Sequence, residues 1–252
     1  MKEIIPTVRI LDVPFSVMDM DETVKCCEDL IRSQEPNHII TANPEIVMMA
    51  LKDPKLMKIL HNADVVTCDG TGIVWATKFT DFSAKERVAG FDLTLRLLSL
   101  CEDKGFSVYF LGAKPEIMES AVKQITERWP QLEVKGYHHG YFRVGDEQRI
   151  CQDIIDKKPS VLFVALGAPR QEYWIAEHLS ELGISLAIGV GGSFDVLAGK
   201  VKRAPIMWQK LHLEWLYRLL LQPSRWRRML AIPKFIYCVL RNQKTAGNFV
   251  KK

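Results

Sequence analysis

The stretch His38-Ile39-Ile40-Thr41-Ala42-Asn43-Pro44 joins a short β-branched apolar run to a capping residue and a proline. The run 38–42 predicts a buried strand. Asn is a favoured helix cap, and Pro is tolerated in a first turn because its missing N–H would be unpaired there anyway. A strand therefore ends at Thr41-Ala42, and a helix starts just beyond it. The same grammar recurs down the chain. Predicted strands 65–68, 107–111, 161–166 and 186–190 run into Asp69-Gly70, Gly112-Ala113-Lys114-Pro115, Gly167-Ala168-Pro169 and Gly191-Gly192. Two further strands are predicted at 8–13 and 133–136. Amphipathic helices are expected at 19–33, 44–62, 72–80, 92–104, 115–129, 147–157 and 169–182. Strands alternating with helices predict an α/β fold: a mostly parallel, Rossmann-like sheet with helices on both faces. In such sheets ligands sit at the carboxyl ends of the strands, so these loops should converge on one cleft.

The pattern changes after Val201. Residues 204–221 read as one long helix, and 225–241 as a second, capped by Ser224 and with Pro233 as a kink. The chain is thus expected to comprise an α/β core, 1–200, and a helical C-terminal appendage, 201–252. From Lys200 onward there are 13 Lys and Arg against a single acid, Glu214, whereas the first 199 residues hold 29 acids and 21 bases. Basic residues interleaved with Trp, Leu and Ile describe helices lying in an anionic lipid surface. An acidic body and no recognised nucleic-acid motif argue against nucleic acid as the partner.

Bulk properties exclude other classes. With 252 residues, 48% apolar and 25% charged, the chain can bury a sizeable core. No uncharged apolar run reaches 18 residues, which argues against a spanning helix, and the N-terminus lacks the apolar stretch of a signal peptide. The six cysteines form no CxxC pair and read as small buried residues of a reducing compartment. His138-His139 has no carboxylate or Cys at useful spacing, so no metal site is predicted. Asp19-Met20-Asp21 matches a metal-binding DxD pattern but opens a helix, and reads as a capping pair.

The loops carry the candidate chemistry. Thr41 and Asn43 either cap the following helix or aim a hydroxyl and an amide into the cleft. Asp69, at a strand's carboxyl end beside Gly70-Thr71-Gly72, suits a general base, although Asp-Gly is also a common turn. Arg87 is either a bidentate phosphate ligand or a surface ion pair. Gly112 and Gly167 open loops whose backbone N–H groups could approach an anion, and Gln171 could hydrogen-bond a sugar or diphosphate. Gly191, Gly192 and Asp195 form neither a GxGxxG nor a P-loop; Asp195 reads as a ribose or base ligand or a turn residue. Arg218, Arg225 and Arg228 are candidate anion ligands in the tail.

Together these strings resemble the WecG/TagA/CpsF family, glycosyltransferase family 26. The carriers are Thr41-Ala42-Asn43-Pro44-Glu45, Asp69-Gly70 with Arg87-Val88-Ala89-Gly90, and Gly167 through Glu172. To these are added Gly189 through Asp195, Val201-Lys202-Arg203-Ala204-Pro205, and Glu214 through Arg218 with Gln222 through Arg225. The resemblance implies an inverting transferase that needs no metal or other cofactor. It moves N-acetylmannosamine, or its uronic acid, from a UDP donor to N-acetylglucosaminyl-diphospho-undecaprenol. It also implies Asp69 as base with Thr41 and Asn43 beside it, Arg87 and Gln171 in the same pocket, and Arg218, Arg225 and Arg228 supplied by an appendage that closes over the site. The expected location is cytoplasmic, peripheral on the inner face of the cell membrane. Competing readings are a family member using UDP-glucose and a non-catalytic nucleotide or anionic-lipid binder. A homo-oligomer with the apolar tail faces packed on a second subunit also remains open.

Overall fold

The computed structural model describes residues 5–211, 213–221, 223 and 226–241. One eight-stranded sheet runs through it. Its strands are β1 (Thr7–Ile10), β2 (Val13–Ser16), β3 (Asn37–Ala42), β4 (Val65–Cys68), β5 (Val108–Gly112), β6 (Val134–His139), β7 (Val161–Ala165) and β8 (Leu186–Gly189). The spatial order is β1-β2-β4-β3-β8-β7-β5-β6, and every pairing is parallel except β1 with β2.

The strand predicted over 8–13 is instead a hairpin. The chain reverses at Leu11 and Asp12, which both adopt left-handed φ values of 49° and 70°, and Ile10 pairs with Val13. Two positive-φ residues match the right-handed twist of a hairpin, a turn usually signalled by Asn-Gly. Leu11-Asp12 gives no such signal, so the reversal was hidden.

Successive side chains of a strand face opposite ways, and both faces here are apolar. Ile39, Val65, Phe110, Phe163 and Ile188 pack with helices α1 (Met20–Arg32), α5 (Gly90–Lys104) and α6 (Pro115–Arg128). Ile40, Ala42, Val66 and Cys68 face the other way, onto α2 (Pro44–Ala50), α3 (Pro54–Asn62) and α4 (Thr71–Thr77). Leu111, Leu162, Val164 and Ala187 pack beside α7 (Glu147–Lys157) and α8 (Arg170–Leu182).

Asp19 caps α1 in a full capping box with Glu22, so the Asp19-Met20-Asp21 string sits at a helix start. The single helix expected over 44–62 is two. Asp53 accepts from Lys55 N–H and Leu56 N–H, and Pro54 starts α3, because a proline in a continuous helix would remove a bond and clash with the preceding turn.

The C-terminal region is also more broken than expected. Residues 204–221 hold two helices, α10 (Ile206–Lys210) and α11 (Glu214–Leu221). Between them Leu213 N–H reaches back to Trp208 C=O, widening the last turn. Residues 226–241 hold α12 (Trp226–Met229) and α13 (Ala231–Arg241). The break falls at Leu230, so Pro233 lies in the first turn of α13, where a missing N–H costs little, rather than at a kink. Helix α13 joins the α2–α4 side of the core: Phe235 is fully buried and Val239 nearly so. No helix among the described residues is long and apolar enough to cross a membrane.

Candidate active site

At the carboxyl ends of β3, β4 and β8 lies a cleft of ≈ 310 Å³. This is where strand order reverses, since β3 is followed in space by β4 on one side and β8 on the other. Thr41, at the end of β3, directs its Oγ1 toward Gly189 C=O at the end of β8, 3.3 Å away. Asn43 follows and caps α2, accepting Ile46 N–H at 3.1 Å while also lining the cleft. The cap occupies Oδ1, so a ligand would meet the Nδ2 donor.

Asp69 leaves β4 on the next strand. Its N–H bonds Ala42 C=O, and Val88 N–H bonds Cys68 C=O, which draws residues 87–90 across the strand end. A methyl group placed on Gly90 would lie 3.0 Å from Thr41 Oγ1 and 3.4 Å from Asp69 Oδ2. A hydroxyl and a carboxylate therefore converge over the N-terminus of α5. Only a residue without Cβ lets them approach it so closely.

Opposite them, Gln171 is buried on the first turn of α8. Its Oε1 accepts Gly191 N–H at 3.1 Å and its Nε2 donates to Glu172 Oε1 at 2.8 Å. Burial raises the Glu172 carboxyl above the ordinary carboxylate range, with the Gln171 bond opposing the shift. Gln171 thus braces the Gly191-Gly192 loop against α8. The N-termini of α2, α4, α5 and α8 border the cleft, and so does that of the short helix α9 (Ser193–Leu197). Their unpaired N–H groups and dipoles suit an anion.

Three cleft arginines with described side chains are paired to carboxylates. Arg87 Nη2 donates to Glu214 Oε2 at 3.0 Å. Arg203 grips Asp92 through two bonds of 2.6 and 2.7 Å, stacks over Phe91, and lies 3.8 Å from Glu214 Oε1. Arg228 Nε sits 3.4 Å from Glu45 Oε1. Among the described residues no group of three or more His, Cys, Asp or Glu is arranged to hold a metal ion.

Of the residues singled out from sequence, Thr41, Asn43, Asp69, Arg87, Gly167, Gln171, Gly191, Gly192 and Arg228 line this cleft. Gly112 and Asp195 are not among its lining residues. Gly112 has another reason to be glycine: its φ is 134°, and a Cβ there would fall 2.4 Å from the backbone of Ala165. Asp195 instead ends α9 through its carbonyl, which accepts Lys200 and Val201 N–H. The side chain of Arg218 and the whole of Arg225 lie outside the described residues. Sequence reasoning assigned no role to Arg203, Glu214 or Glu45. Glu214 carried a signal nonetheless, as the one acid in a basic tail.

Residues 8–248 match the glycosyl transferase WecG/TagA/CpsF family. The chain belongs to this family. An N-acetylglucosaminyldiphosphoundecaprenol N-acetyl-beta-D-mannosaminyltransferase of Bacillus subtilis is 35% identical over 98% of this chain and 96% of its own. The Bacillus spizizenii protein of the same name is 39% identical over 83% of this chain and 80% of its own. A Staphylococcus aureus protein, again of that name, is 34% identical over 94% and 93%. The family assignment makes the chain a glycosyltransferase.

Proposed function

We propose that this glycosyltransferase transfers N-acetylmannosamine from a UDP donor to N-acetylglucosaminyl-diphospho-undecaprenol, with Asp69 as general base. The observation that carries the reading is the convergence of Asp69 and Thr41 over Gly90, in a chain whose full-length relatives bear this activity in their names. Asp69 accepts the proton of the acceptor hydroxyl as its oxygen attacks the anomeric carbon. The new C–O bond forms as the bond to the diphosphate oxygen breaks, inverting the centre, and UDP leaves with the electron pair. Thr41 and Asn43 orient the sugar. The departing diphosphate is stabilised by arginine and by the N-termini of α8 and α9, charge that is already in place before reaction. Donors such as UDP-glucose are compared in the same assay.

The tail supports a membrane-side acceptor. Ile206, Met207, Leu220, Leu221 and Trp226 are exposed apolar residues on α10, α11 and α12, in a segment rich in Lys and Arg. Residues 201–252 then act as an appendage that lays this face on anionic lipid at the inner face of the membrane, with the cleft beside it.

The test is UDP release from UDP-N-acetylmannosamine with a synthetic N-acetylglucosaminyl-diphospho-lipid, for wild type and Asp69→Asn. Acceptor-dependent release lost in the variant is the expected result. No release from this or any other UDP sugar would sink the reading.

A further inference from the structure

Glu214 stands out twice. It is the one acid among the 13 basic residues that follow Gly199, and it is buried rather than solvated. A buried carboxylate is costly without cationic partners, and this one lies between two arginines that both line the cleft. Their demands differ. Arg203 already makes a two-pronged bond to Asp92 through its Nη atoms, and its buried Nε, without a hydrogen-bond partner among the described residues, approaches Glu214 only at 3.8 Å. Arg87 makes its ion pair with Glu214 at 3.0 Å, bridging 127 positions of sequence from the mouth of α5 to the first turn of α11. The guanidinium best placed to bind a phosphate at the end of β4 is thus held by a carboxylate from the tail.

We propose that Glu214 is a positioning residue that competes with the donor's diphosphate for Arg87. This rests on the reading of the cleft as a UDP-sugar site. A diphosphate carries more charge than a carboxylate and offers more acceptor oxygens to the guanidinium fork, so it wins the exchange. Glu214 then keeps its contact with Arg203. When UDP is left after transfer, Glu214 takes Arg87 back and speeds release of the product. The contact couples the occupancy of the cleft to α11, and so to the tail.

The experiment is calorimetric binding of UDP to the full chain as wild type, Glu214→Gln, Arg87→Ala and the double variant. Losing the competitor tightens UDP about fivefold in Glu214→Gln, the scale of one ion pair after its desolvation is discounted. Product inhibition by UDP strengthens in parallel while kcat falls, and Glu214→Asp restores much of the wild-type behaviour. In the Arg87→Ala background the Gln substitution brings no gain, because there is nothing left to compete for. If wild type binds UDP and Glu214→Gln binds it equally or more weakly, the exchange is overturned while the assignment of the cleft stands. If neither binds UDP, both fall. Should Glu214→Gln fail to fold, hydrogen exchange of wild-type α11 decides: faster exchange at saturating UDP supports the exchange, and unchanged rates refute it.

Discussion

Asp69 and Thr41 come from neighbouring strands and meet over one glycine, so each can be tested separately. Replacing Asp69 by Asn keeps the shape and removes the proposed base; transfer is expected to drop by about 10²–10⁴-fold, with UDP affinity near wild type. Retained turnover would assign the base elsewhere. His38 offers a test of stability rather than chemistry. It is buried on β3, its Nε2 finds no hydrogen-bond partner among the described residues, and burial depresses its pKa from 6.5 to about 3. The unfolded chain binds a proton below pH 6.5 that the native state refuses until about pH 3. The His38 contribution is therefore complete above that window and is lost as pH falls through it, at about 1.4 kcal/mol per pH unit. Urea denaturation of wild type and His38→Leu should diverge across this range, and parallel curves would refute the assignment. At this scale the sequence was legible where chemistry is local. Asn43 could be read as cap or ligand, and it both caps α2 and lines the cleft. Glu214 could not be paired from sequence, because its partner Arg87 lies 127 positions away and nothing local records the contact.

Elements were legible wherever local signals agree. The residues 147–157 and 65–68 form the helix and strand their patterns predict, since periodicity and flanking residues there point the same way. Errors fell where one residue overrides the pattern, as Pro54 does between α2 and α3, or where a turn lacks its usual residues, as at Leu11-Asp12. Gly112 meets a packing demand that the sequence does not show. A glycine after a strand suggests a ligand loop, but this one is required by the close approach of β7. Gly112→Ala is expected to cost on the order of 3 kcal/mol or more, from positive φ and a clash with backbone that cannot yield. Near-wild-type stability would mean the strands part easily at this point. On the opposite face, Phe235 of α13 is fully buried and would lie 3.8 Å from a Cβ on Gly72, beside the cleft. Phe235→Ala should cost about 3–5 kcal/mol if the cavity cannot collapse. Part of that loss is expected as undocking of α13, visible as new protease cutting near residue 231 before the sheet unfolds. Simultaneous loss of both would place α13 in the cooperative core.

At the scale of the molecule two tendencies act on the C-terminal region. Phe235 and Val239 hold α13 to the core, while Leu220, Leu221 and Trp226 on the preceding helices remain exposed. On the proposed reading this surface is covered at the membrane, and the excess of Lys and Arg favours anionic lipid as the cover. Each basic residue near an anionic leaflet contributes about 1 kcal/mol at physiological salt, and apolar insertion adds to it. The two contributions separate by ionic strength, because the Debye length shrinks from about 10 Å at 0.1 M to about 3 Å at 1 M while burial is little affected. The full chain should therefore sediment with vesicles containing anionic phospholipid, far less with phosphatidylcholine alone, and should be partly released by 1 M salt. Leu220→Glu with Leu221→Glu should reduce the salt-resistant fraction and spare the salt-sensitive one. Loss of both fractions would point to a displaced tail. Equal binding to neutral and anionic vesicles would remove the electrostatic half of the argument. Failure to bind any vesicle, together with a mass in solution of twice the chain, would assign the apolar face to a second copy instead.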